Sequence, residues 1–113
     1  MARICVASHS IGIMIEFDVT GLNYRNVKMD RYEGGCSCGG VRIVANGQPY
    51  RVGLCHCMDC RKHHGALFHA SAIFPETAVL ITGETCAYKE RYFCPRCGSS
   101  VFARSGDEVE INL

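Results

Sequence analysis

The chain has 113 residues, a formal net charge of +1 and 20% charged residues, a size suited to one domain with an adequate core. Its acids and bases are interspersed, so no basic stripe points to nucleic acid and no acidic tail to a disordered partner arm. Apolar residues make up 48%, yet no run approaches the roughly 18 that would span a bilayer, which predicts a soluble globular protein.

Residues 1–28 differ in character from the rest of the chain. A mildly apolar patch over 4–15 is interrupted by Ser8, His9, Ser10 and Gly12 and has one early cation, Arg3, which argues against a cleaved signal peptide. The alternation in 13–19 predicts a strand, and 20–23 a turn. Met29 stands just before Asp30-Arg31-Tyr32-Glu33-Gly34-Gly35-Cys36. The working domain is therefore expected over 29–113, with 1–28 an extension or an additional edge strand.

From Gly34 the pattern is of short strands punctuated by glycine. Residues 41–45 are β-branched and end at a hairpin-type Asn46-Gly47 signal. Residues 50–54 lead into a run of cysteines, and 61–68 is the one expected helix, of about two turns, with Gly65 inside it. Strands are expected over 69–74, stopped by Pro75, and over 78–82, stopped by Gly83. Segments 86–89 and 90–93 run into another cysteine pair. A turn at Ser105-Gly106-Asp107 joins strands over 100–104 and 109–113. This spacing predicts an all-β domain. The strand pattern is still running at Leu113, which reads as a domain truncated at its C-terminus.

Nine cysteines are many for this length. The odd total, and the lack of an export signal, favour metal binding in a reducing, cytoplasmic setting over a disulfide scaffold. Seven fall in three clusters: Cys36-x-Cys38, Cys55-x-Cys57-x-x-Cys60 and Cys94-x-x-Cys97. Such close neighbours can put two thiolates from one turn on a single ion, whereas a disulfide between them would be strained.

The outer pairs, each with glycine immediately after, form two knuckles. Cys36, Cys38, Cys94 and Cys97 make a closed tetrahedral zinc site that ties the start of the domain to its end. The central triple leaves two readings. Cys55, Cys57 and Cys60 with an open fourth position would be a catalytic zinc site. With His56, His63, His64 or His69 as fourth ligand it would be a second closed one. A redox role for Cys57-x-x-Cys60 lacks its usual βαβ setting. Arg61 and Lys62 would offset the thiolate charge or attract an anionic substrate. Cys5 falls in the extension, and Cys86 reads as a buried small hydrophobe.

Gly34-Gly35-Cys36-x-Cys38-Gly39, Cys55-His56-Cys57-x-x-Cys60-Arg61-Lys62-x-x-Gly65 and Phe93-Cys94-x-x-Cys97-Gly98-Ser99 resemble the glutathione-dependent formaldehyde-activating enzyme family, also called the centromere protein V domain family. The resemblance covers about Met29 to Leu113. It implies a β-tent fold of several small antiparallel sheets around zinc. It also implies a structural zinc on Cys36, Cys38, Cys94 and Cys97 and a catalytic one on Cys55, Cys57 and Cys60. The activity implied is a carbon–sulfur lyase joining glutathione, or a similar small thiol, to formaldehyde, with S-(hydroxymethyl)glutathione as product. Family domains normally continue past the point where this chain ends, and residues 1–28 have no counterpart in them. A non-catalytic zinc module for protein interaction is the alternative.

Overall fold

The computed structural model describes residues 4–8 and 30–113. Nine strands and one helix run in this order: β1 Ile4–Ser8, β2 Arg31–Gly35, β3 Arg42–Asn46, β4 Arg51–Cys55, α1 Met58–His64, β5 His69–Pro75, β6 Val79–Tyr88, β7 Arg91–Phe93, β8 Ser100–Ser105 and β9 Glu108–Asn112. The all-β expectation holds. Every strand pairing is antiparallel, and instead of several small sheets the strands form one continuous sheet in the order β2-β3-β6-β7-β8-β9-β5-β4, with β1 against β6. The strand and turn expected over 13–23 lie outside the described residues. Segment β1 pairs with β6 from Ile4↔Ala87 to Ser8↔Gly83, which places part of the expected extension on the sheet as a strand.

Strand β6 is the hinge of this arrangement. Its first part pairs with β3 (Ala45↔Val79 to Arg42↔Thr82) and its last part with β7 (Cys86↔Phe93 to Tyr88↔Arg91). The sequence reading ended a strand at Gly83, but the strand continues through it. Gly83 has φ +100, and a Cβ there would lie 1.9 Å from the Gly40 carbonyl oxygen. Only glycine permits this bend so close to another backbone. Lys89 and Glu90, both at positive φ, make the tight turn from β6 into β7.

Two further expectations are corrected. Asn46-Gly47 does not close a hairpin between β3 and β4, because β3 pairs with β2 and β6. Gly47 instead donates its N–H to the Asp30 carbonyl (2.8 Å), beside the start of β2. The helix is displaced toward the N-terminus of the expected span. Cys57 caps it by accepting the Cys60 N–H, and Gly65 is its left-handed C-cap at φ +62, a position outside the helix rather than inside it.

The main core gathers Val41, Ile43, Ile81, Val101, Phe102 and Val109 around Cys36 and Cys94, so two sulfurs belong to the hydrophobic centre. A smaller cluster of Ala45, Ala72 and Phe74 lies on the inner face of β3 and β5. Alternation on β5 and β9 sends Ala72, Phe74 and Val109 inward. On the other face, His69 and Ser71 meet Glu110. Cys86 is buried as expected, but it is disulfide-bonded rather than a free thiol, which the reducing-compartment reading did not anticipate. Its register partner on β1 is Cys5.

Candidate metal centres

The sulfurs of Cys36, Cys38, Cys94 and Cys97 all lie within 4.8 Å of one another. The Cys36–Cys38 separation is 3.5 Å and Cys38–Cys94 is 3.7 Å. Four thiolates about 2.3 Å from one zinc ion stand about 3.8 Å apart, so the set fits a single tetrahedral ion. Glycine builds both knuckles. Gly39 (φ +78) and Gly98 (φ +76) turn their amides back onto the carbonyls of Cys36 (3.1 Å) and Cys94 (2.9 Å).

Hydrogen bonds set the charge on these sulfurs. The Val41 amide donates to Cys36 Sγ (3.1 Å) and is the main cause holding that thiol below its usual pKa. Ser99 links the knuckles: its hydroxyl accepts the Ser37 N–H (3.1 Å) and lies 3.2 Å from Cys97 Sγ. That hydroxyl, and after it the amides of Ser99 and Cys38, brings Cys97 down to about 5. At Cys38 the Gly40 amide favours the thiolate, but crowding by Cys36, Cys94 and Cys97, together with burial, pushes the thiol up to about 11. Four sulfurs at this separation do not all ionise unaided, and a cation is what their arrangement accommodates.

Cys55, Cys57 and Cys60 also converge within 4.8 Å. Cys55 ends β4, Cys57 caps α1, and Cys60 is buried in the first turn of the helix. The Cys60 amide donates to Cys57 Sγ (3.3 Å) and is the leading cause of the lowered Cys57 pKa. Cys60 is pushed up to about 12, first by burial and then by Cys57 and Cys55, with Arg91 acting in the opposite direction. Both sulfur sets can hold a metal ion, and all-thiolate sets suit zinc.

Among the described residues, no histidine nitrogen joins the three sulfurs. His63 Nε2 is 2.7 Å from Ser100 Oγ, and His69 Nε2 is 3.1 Å from Glu110 Oε1. The His64 ring stacks on His69 with centroids 4.0 Å apart, and His56 tilts against Phe68 at 5.8 Å. All four candidate fourth ligands are thus engaged elsewhere.

Three of them belong to a polar cleft of about 160 Å³ that Cys60, Arg91, Ser100, Glu110 and Asn112 also line. Asn112 Nδ2 donates to Ser100 Oγ (2.8 Å), leaving the hydroxyl proton free to point at His63 Nε2. Ser71 Oγ donates to Glu110 Oε1 (2.7 Å), the same oxygen that meets His69. Burial first, and then Arg91 and His69, hold His63 below its usual pKa. Burial, His69, His63 and Arg91 bring His64 down to about 4, although Glu110 opposes them. Both rings are therefore neutral near pH 7.

Arg61 and Lys62 are not in this cleft. Arg61 Nη1 rests on Met58 Sδ (3.5 Å), and both side chains line a separate hollow with Met58, Gly65, Ala66 and Leu67. The cation that reaches Cys60 is Arg91, from β7. Sequence reasoning did not single out Arg91, Ser100, Glu110 or Asn112. The polar members of the 109–113 alternation were the available signal for the last two. No local pattern marks Arg91.

Comparison with known proteins gives a consistent result. Residues 31–112 match the family model described as glutathione-dependent formaldehyde-activating enzyme. The chain is also similar to an uncharacterized lyase of Schizosaccharomyces pombe (strain 972 / ATCC 24843), with 27% identity over 79 residues. The match covers 66% of this chain and 58% of that relative.

Proposed function

Since the chain belongs to the glutathione-dependent formaldehyde-activating enzyme family, we propose that it forms the zinc-binding centre of a carbon–sulfur lyase. The reaction is addition of the glutathione thiol, or that of a related small thiol, to formaldehyde. The thiol sulfur bonds to the carbonyl carbon, the thiol proton ends on the oxygen, and S-(hydroxymethyl)glutathione results. One observation carries this reading. Three sulfurs meet on one ion-sized space, no fourth protein ligand joins them among the described residues, and a cleft bearing neutral histidines opens beside them.

In this reading Cys55, Cys57 and Cys60 would hold the catalytic zinc, and Cys36, Cys38, Cys94 and Cys97 would hold the structural one. Zinc at the triple would supply Lewis acidity to the carbonyl oxygen or lower the pKa of the attacking thiol. The chain's own groups handle the proton. His63 Nε2 is taken up by Ser100, so His64 is the neutral ring that can pass the proton from the thiol to the new alkoxide oxygen, and its low pKa means that it does not keep it. Glu110 fixes the orientation of His69, on which His64 stacks.

The test is metal content combined with titration. Two zincs per chain, one of them perturbed by glutathione, together with product formation tracked by nuclear magnetic resonance, is the expected result. A second zinc that glutathione neither perturbs nor displaces would overturn the reading. It would favour a non-catalytic interaction module, which one observation supports: edge strand β4 exposes Val52 and Leu54, Tyr50 is exposed just before it, and Leu67 and Phe68 are exposed just before β5. Such an apolar edge is a surface other chains can cover.

A further inference from the structure

The cleft beside the three-sulfur site is lined by a guanidinium that has no carboxylate partner among the described residues. Of the cations that line it, Arg104 is paired with Glu76 and lies over the rings of Phe102 and Tyr92. Lys89 is exposed and lies over Tyr88. Of its acids, Glu110 is occupied by His69 and Ser71, and Glu90 sits exposed in the β6–β7 turn. Arg91 is half-buried, and among the described residues no carboxylate lies within ion-pair distance of it. Nη1 makes a long hydrogen bond to the Lys89 carbonyl (3.5 Å), and the side chain also reaches Cys60, whose ionised form it favours. Strand β7 holds it firmly, between Tyr88 on β6 and Ala103 on β8 and three residues before Cys94.

We propose that Arg91 determines substrate specificity by binding a carboxylate of the thiol substrate, so that the thiol is presented to Cys55, Cys57 and Cys60. This rests on the lyase reading above and deepens it. A guanidinium offers two parallel N–H donors that match a carboxylate, and a half-buried one without a carboxylate partner gains from such a ligand. A cleft of about 160 Å³ admits one end of a peptide-sized thiol, so a single anchoring charge fixes which end enters. Arg61 and Lys62, on their separate hollow, do not face this end.

The experiment uses the zinc-loaded full chain as wild type, Arg91→Gln and Arg91→Lys. Kd is measured for glutathione and for its diethyl ester, with KM and kcat in the presence of formaldehyde and zinc content for each variant. Arg91→Gln is expected to raise Kd and KM for glutathione about tenfold or more, with zinc retained in the loaded chain and ester binding equal to wild type. Arg91→Lys should recover part of the loss. Equal weakening of acid and ester, or loss of zinc in Arg91→Gln, would overturn the proposal and leave Arg91 as a counter-charge to the thiolates. If no turnover is seen but glutathione binds in preference to its ester through Arg91, the lyase reading falls and the anion anchor stands. Binding of neither thiol overturns both.

Discussion

A single hydroxyl, that of Ser99, touches both halves of the four-sulfur site, and its removal is instructive. Ser99→Ala strips Cys97 of the main group that brings its thiol down to about 5 and frees the Ser37 amide. Outer contacts of this kind are worth about 10–100-fold in metal affinity. Competition with a chromogenic chelator should show a loss of that order at one of the two sites. His64 gives a pH prediction. Its pKa is about 4 in the folded chain, against about 6.5 when exposed. Between those values the unfolded chain binds more protons, so the contribution of His64 to stability falls as pH drops from 6.5 to 4 and is level below that. Denaturant midpoints across this range should fall less steeply for His64→Gln than for wild type; identical slopes would refute the assignment.

Among the elements, β6 decides how the sulfur sites are held. Gly83 brings β6 against Gly40, just after the first knuckle, and Gly35 brings β2 against the Val41 carbonyl, where an added Cβ would lie 2.1 Å away. Gly83→Ala should destabilise the fold by about 2 kcal/mol or more, since it adds a clash with backbone to an unfavourable φ. The measurement is urea unfolding of the zinc-loaded variant; a change within about 0.5 kcal/mol, the size of an ordinary surface substitution, would refute it. The same residue shows where sequence reading reaches its limit. Glycine both ends strands and bends them, and what settles the matter at Gly83 is a carbonyl from a distant part of the chain. Helix α1 repeats the lesson: its start depends on a cysteine acting as a cap, which looks in the sequence like a metal ligand and nothing more. The knuckles, by contrast, were legible because cysteine spacing and the adjoining glycines are local, and so were the strands expected over 41–45 and 100–104, which run over 42–46 and 100–105.

For the whole molecule, Cys36 and Cys94 are core residues, so metal and hydrophobic packing form one unit. Removal of zinc by a strong chelator should abolish the β-sheet circular dichroism, and returning zinc should restore it. A chelated chain that keeps its sheet would show that packing alone suffices. The all-β class and both sulfur sets could be read from the chain, whereas the cleft could not. It is assembled from α1, β5, β7, β8 and β9, and partners such as His63 with Ser100 or His69 with Glu110 are brought together only by strand register. The central claim is that the two sulfur sites are unequal, one saturated and one able to accept a thiol. Cadmium-113 resonance of the doubly loaded chain tests it most directly. The account predicts two signals, of which glutathione shifts only the one lost in Cys57→Ser; two signals that glutathione leaves unmoved would contradict it.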